Sequence, residues 1–214
     1  METSKQIARK AYELYKTYGV HSVTMDDIAN SLGMSKKTIY VHFGSKDALV
    51  ETVITHEIEE NRSLLVSQKD ALKTVISSLI ADLKNVFNFF RKLNPGILFG
   101  LEKYHPDAFS ILTEYINGFV YKVIENDIQL GIKQGLFREN VDLYIIIHFL
   151  LKNLQSIFVP DTRLQVVRSE RQQELQLLNH FLYGIMTPKA HKRADGHSFN
   201  LIEFKPGQPC PEQL

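Results

Sequence analysis

The chain has 214 residues, 44% of them hydrophobic, enough apolar mass for a buried core, which excludes a wholly disordered polypeptide. Its 25 lysines and arginines nearly balance 24 acidic residues, leaving a net charge of +1, so it is not a generally basic nucleic-acid coat and any anion-binding face has to be local. The single cysteine, Cys210, excludes an intrachain disulfide framework and is too little for a structural zinc site.

The start, Met-Glu-Thr-Ser-Lys-Gln, is polar and leads into no apolar segment of signal-peptide kind. The longest apolar run, 144–151, contains His148 and is far shorter than a membrane span, so a cytoplasmic protein with no membrane partner is expected. Ile7, Ala8, Ala11, Leu14, Tyr15 and Tyr18 form a helical stripe, preceded by Thr3 and Gln6 at capping-box spacing, and predict a first helix. Thr24 and Asp27 repeat that spacing ahead of Ile28, Ala29 and Leu32, and Gly33 supplies a residue free to take the positive φ of a tight helix-to-helix turn. Ser35 then caps a third helix, with Ile39 and Phe43 on its apolar face. Lys36, Lys37, Thr38, Tyr40 and His42 are left to point elsewhere, with no acidic residue among them.

Two capped helices joined by a glycine also occur as plain surface hairpins. The one-sided chemistry of the second helix is what favours phosphate positioning and groove reading. Tyr18-Gly19, Thr24, Ile28-Ala29, Gly33, Ser35, Thr38-Ile39-Tyr40, His42-Phe43 and Ser45-Lys46-Asp47-Ala48-Leu49 together resemble the N-terminal DNA-binding domain of the TetR family of bacterial transcriptional regulators. The resemblance covers roughly the first quarter of the chain and implies a helix-turn-helix, with Thr24, Ser35, Lys36, Lys37, Thr38, Tyr40, His42 and Lys46 as DNA contacts. Lys36, Lys37 and Thr38 occupy the turn that enters the major groove, Tyr40 and His42 suit backbone contacts, and Lys46 a phosphate. Lys37 stands where the family has a small residue or proline, and Val41 where it has a larger aromatic or basic one, so the operator sequence does not transfer.

A fourth helix is predicted from Ser45 as cap to about Leu65, with Val53, Ile54 and Ile58 inward. From Asp70 a helical stripe runs through Leu72, Leu79, Leu83, Phe87 and Phe90 to a stop at Asn94-Pro95-Gly96. A short helix over 97–103 ends near His105-Pro106, and a long one over 107–134 is closed by Gly135. The segment 142–158 is apolar on more than one face and ends at Pro160, and 168–187 carries a narrower stripe. No strand pattern precedes residue 197.

These elements predict an all-α chain, with a three-helix DNA-binding domain over 1–48, a larger helical effector-binding and dimerisation domain over 49–187, and a mobile tail over 188–214. The tail opens on the basic cluster Lys189, His191, Lys192 and Arg193. The resemblance places a homodimer seam in the last two helices, near 142–158 and 168–187, and the many-sided apolarity of 142–158 independently asks for a second surface, either a partner subunit or the centre of a monomeric bundle. Phe87, Phe90, Tyr104, Tyr115, Phe119, His148 and Gln155 are the candidate effector contacts, suiting a mostly apolar small molecule, although aromatics at helical spacing are usually core.

Catalysis is not expected: there is no Gly-x-Ser-x-Gly, no phosphate-binding glycine loop, and His56-Glu57-Ile58-Glu59-Glu60 lacks a second histidine, so His56 and Glu60 alone make no metal site. No cofactor is expected. The sequence thus predicts a homodimeric repressor released from a palindromic operator by an effector, with a constitutive DNA-binding protein as the alternative.

Overall fold

The computed structural model describes residues 2–67, 74–158 and 170–191. Its elements are α1 (Glu2–Tyr18), α2 (Met25–Leu32), α3 (Lys36–His42), α4 (Lys46–Ser67), α5 (Val75–Tyr104), α6 (Pro106–Glu114), α7 (Tyr121–Lys133), α8 (Leu143–Phe158) and α9 (Glu170–Ile185). The fold is all-helical, with an N-terminal helix-turn-helix domain and a larger helical domain. Among the described residues, the pairing outside helices is one isolated antiparallel bridge between Phe137 and Met186.

In the N-terminal domain, Ile7, Ala11 and Tyr15 of α1 cover Ile28, Ala29 and Ile39 of the next two helices, all fully or nearly fully buried. Tyr18, expected on that stripe, is exposed, because it lies in the last turn where α1 gives way to Gly19 at φ 76°. The expected Thr3 cap is also absent, since α1 already begins at Glu2. The Ser45 cap holds, its hydroxyl accepting the Ala48 N–H at 3.0 Å.

In the larger domain α5 lies against α4 and α7, α4 against α6, and α8 against α9. Phe87, Phe90 and Leu83 of α5 are fully enclosed. The stripe begins at a Thr74 cap, whose hydroxyl accepts the Ser77 N–H at 3.1 Å; the expected start near Asp70 lies outside the described residues.

The stop at Asn94-Pro95-Gly96 proves to be a sharp break, at Asn94 with φ 41° and ψ 166°, after which helix resumes to Tyr104. Asn94 is left at positive φ with an extended ψ, a combination that residues other than glycine rarely take. Its side chain makes two bonds there: the carboxamide N–H donates to Lys16 O at 2.8 Å, and its oxygen accepts the Ile97 N–H at 3.0 Å, capping the second segment above Pro95. Asn94→Ala keeps the Cβ at positive φ and loses both bonds, so we expect a loss of about 2 kcal/mol by urea denaturation. Asn94→Gly should lose less, because it relieves the backbone; an equal loss for both would refute this account.

The expected helix over 107–134 is present over Pro106–Lys133, with a π-helical turn at Tyr115–Val120 between α6 and α7. The widened turn sets Tyr115 and Phe119 parallel, ring centroids 5.7 Å apart, and lets the Tyr115 hydroxyl donate to Asn61 Oδ1 at 2.7 Å. Beyond α7, Gly135 at φ 68° reverses the chain and lays Phe137 back over the helix. Pro160 and residues 192–214 lie outside the described residues. Of the expected tail, residues 188–191 form a helical turn capped by Thr187, with Ala190 buried.

Candidate nucleic-acid interface and ligand cavity

Thr24 and Asp27 form a complete capping box at the start of α2: the Asp27 N–H donates to Thr24 Oγ1 at 3.1 Å, and the Thr24 N–H to Asp27 Oδ2 at 2.8 Å. The Thr24 hydroxyl, donating to Asp27 Oδ2 at 2.7 Å, and the Thr24 N–H on the same oxygen hold the Asp27 carboxyl below its ordinary range. Gly33 ends α2 at φ 64°, and Ser35 caps α3 by accepting the Thr38 N–H at 3.1 Å. Both α2 and α3 are thereby fixed by bonds within a few residues, while Ile39 and Phe43 anchor α3 to the core.

The eight expected DNA contacts divide in this geometry. Thr24 and Ser35 are engaged as caps. Lys36 is ion-paired with Asp26 at 2.7 Å, which raises its ammonium above the usual range. Lys46 is half-buried, donates to His21 O at 3.3 Å, and is lowered by that burial. It therefore braces the α1–α2 link at the head of α4. His42 shares a 3.1 Å hydrogen bond with Ser4, and Thr38 with Ser35 at 2.9 Å. Lys37 and Tyr40 are exposed, and Lys37 makes no ion pair among the described residues. Beside them Val41 is 75% exposed, an apolar side chain in water on the same helix. Val41 is not among the residues the sequence singles out as DNA contacts; its signal there is an apolar residue off the Ile39–Phe43 face.

The segment after Asn94 packs on the helix-turn-helix domain. Gly96 and Gly19 meet backbone to backbone, with Gly96 O 3.5 Å from where a Gly19 Cβ would stand, and Val20 Cβ is 3.2 Å from where a Gly100 Cβ would stand. Tyr104 stacks on His21 with centroids 4.0 Å apart, and His105 Nδ1 lies 2.6 Å from Asp47 Oδ1 of α4.

The expected effector contacts do not converge. Phe87 and Phe90 are sealed in the core, Tyr104 belongs to this domain junction, and His148 bonds the Tyr144 carbonyl of its own helix at 2.8 Å. Tyr115 and Phe119 remain adjacent, with the Arg62 guanidinium 4.3 Å above the Phe119 ring. The Gln155 side chain lies outside the described residues. A cavity of about 510 Å³ opens elsewhere, between the end of α1, α4 and the first part of α5. Lys16, Glu57, Asn61, Leu64, Phe89 and Lys92 are among its lining residues, a more polar set than the expected apolar pocket. Glu57 is buried, and burial raises its carboxyl above the ordinary range against the opposing pull of Tyr12 and Lys92. His56 and Glu60 do come together with Glu57, and the Lys92 ammonium, 3.2 Å from Glu60 and 3.9 Å from Glu57, supplies the counter-charge.

On α8 and α9, Tyr144, Ile145, Phe149 and Tyr183 are exposed, flanking an apolar groove of about 230 Å³ lined by Ile146, Leu150, Leu177 and Phe181. Among the described residues no helix is long and apolar enough to cross a membrane.

A capped helix-turn-helix presenting an exposed lysine and tyrosine, seated on an all-helical body, defines a helix-turn-helix DNA-binding regulator. Residues 7–53 match the family model for bacterial regulatory proteins of the tetR family. The HTH-type transcriptional regulator YvaF of Bacillus subtilis is 31% identical over 167 residues, spanning 73% of this chain and 82% of that protein. The chain belongs to the TetR family of transcriptional regulators. Its fold is shared by a transcriptional regulator from Saccharomonospora viridis in complex with choline, at TM-score 0.73 and 18% identity, covering 87% of this chain and 98% of that one. FadR from Bacillus subtilis in complex with stearoyl-CoA gives TM-score 0.68 and 16% identity, covering 85% and 98%.

Proposed function

We propose that this TetR-family regulator acts as a homodimeric repressor whose two α3 helices read a palindromic operator, and that a small molecule bound in the helical domain releases it. The exposed face of α3 is the observation that carries the DNA reading: Lys37, Tyr40 and Val41 are left to solvent after the neighbouring side chains are committed to caps and ion pairs. Lys37 then suits a guanine edge and Val41 a thymine methyl. The apolar α8–α9 face supports the dimer, since a helix-turn-helix gains affinity and half-site spacing from two-fold symmetry.

The effector reading rests on the junction. Asn94, Tyr104 and His105 all belong to or border the second segment of α5 and bind α1, the α1–α2 link and α4 respectively. A ligand that shifts this segment moves the reading head with it. Two structural neighbours are in complex with small molecules, choline and stearoyl-CoA, which agrees with effector control without indicating its chemistry here. By linkage, saturating operator DNA must weaken effector binding by the factor with which effector weakens operator binding, and a near-complete switch needs a preference of about 5 kcal/mol. Calorimetry of the effector with and without operator tests this. Equal affinities in both arms would leave the constitutive DNA-binding reading in its place.

A further inference from the structure

The cavity between α1, α4 and α5 holds a buried carboxylate oxygen that no hydrogen-bond donor reaches and an exposed lysine that makes no ion pair among the described residues. Glu57 is 5% exposed, and its Oε2 atom accepts no hydrogen bond; the nearest ammonium, Lys92, is 3.9 Å away and closer to Glu60. Lys16, at the α1 edge, lies over the Tyr12 ring at 5.1 Å and makes no ion pair among the described residues. The remaining charged lining is already compensated, Arg91 by Glu174 and Lys92 by Glu60. The amides are occupied too: Asn61 serves Tyr115 and the Asn85 carbonyl, and Asn94 serves Lys16 and Ile97. Phe89 and Leu64 supply apolar wall.

A buried carboxylate oxygen without a donor is costly to the empty protein, and a cationic N–H group that reaches it recovers that cost. A ligand carrying only that cation would make no use of the exposed Lys16 at the rim, and a purely apolar one would engage neither group. We propose that this cavity takes a small zwitterion with an apolar body, an α-amino acid or short peptide by chemical class, its ammonium on Glu57 and its carboxylate towards Lys16. The volume, about 510 Å³, is within the usual range for small-molecule sites. Such a ligand would touch α1 directly, one hydrogen bond from the Asn94 break. This rests on the effector reading above and supplies its ligand class.

The test uses the full chain. Thermal shift is measured with the standard amino acids and their leucyl dipeptides, then with a charge-deleted set built on the best side chain; for phenylalanine these are phenethylamine and 3-phenylpropionate. At one hundred times its Kd, a zwitterion should raise Tm by roughly 5–10 °C. Each single-charge analogue should bind at least tenfold more weakly. Glu57→Gln, which keeps the shape and removes the buried charge, should cut zwitterion affinity at least tenfold without lowering the Tm of the free chain. Lys16→Met should weaken the zwitterion but leave phenethylamine unaffected. No response to any zwitterion, a response that Glu57→Gln retains, or a Tm lowered by several degrees in Glu57→Gln would each overturn the proposal. Operator binding is followed separately by fluorescence anisotropy, so that a chain that binds the zwitterion yet keeps hold of DNA refutes the effector reading while leaving the site intact.

Discussion

Gly131→Ala should lower the melting temperature by roughly 5–15 °C, although the substitution replaces a poor helix former with the best one. A Cβ on Gly131 would stand 2.1 Å from Cδ2 and 2.4 Å from Cε2 of Phe137, whose ring is fully buried against α7. The ring has little freedom to retreat. Leu136 N–H donates to Gly131 O at 2.9 Å, Thr187 N–H to Leu136 O at 2.9 Å, and Arg138 N–H to Ile185 O at 2.8 Å, which clamp the turn between α7 and the end of α9. Overpacking of this kind costs about 1–3 kcal/mol where neighbours can adjust and more where they cannot, against about 1 kcal/mol gained in helix propensity. With the ring clamped the cost lies above that range, at about 3–5 kcal/mol, so a net loss of about 2–4 kcal/mol is expected. Gly118→Ala is the control, because nothing lies within 4 Å of a Cβ there, and it should leave Tm within a few degrees. Phe137→Leu in the Gly131→Ala background should recover part of the loss. An unchanged or raised Tm for Gly131→Ala alone would refute the packing argument.

What could be read in the sequence was local. Thr24 with Asp27, Gly33, Ser35 and Ser45 act through bonds spanning three or four residues or through their own φ, and each does in the structure what its spacing implied. The reach of a side chain across elements is different. Nothing in the spacing of Lys36 and Asp26, or of Lys46 and His21, tells that the first member of each pair is held by the second, because that depends on the angle at which α2 meets α3 and α1 meets α4. The π-helical turn at Tyr115–Val120 likewise left no sign in the apolar stripe, since Tyr115, Ile116 and Val120 satisfy ordinary helical spacing. The cavity did leave one. Glu57 and Asn61 follow Val53 at four-residue steps and so stand on an inward row of α4, where polar residues need a reason. The aromatic residues that stand out more in the sequence mostly fill the core.

Lys37→Ala should produce the largest loss of operator affinity of any single substitution in α3. The reason is one of availability: Lys36 is neutralised by Asp26, Lys46 is bound to a backbone carbonyl, and Lys37 in the first turn of α3 keeps its ammonium free among the described residues. If that ammonium donates to guanine O6 and N7, its loss costs about 1–3 kcal/mol at each half-site and relaxes preference at one base position. In a two-fold dimer both half-sites lose it, so operator affinity should fall by one to four orders of magnitude while binding to random DNA falls much less. Lys36→Ala, which removes a lysine of equal charge one residue away, should weaken operator binding less, because Asp26 already offsets that charge. Anisotropy on operator and scrambled duplexes at several salt concentrations separates the two roles of Lys37. A phosphate contact would weaken both duplexes equally and lower the salt slope by about one per subunit, whereas a base contact weakens the operator selectively. Equal losses on the two duplexes would move Lys37 from base reading to backbone positioning, and leave Tyr40 and Val41 as the groups that read sequence on α3.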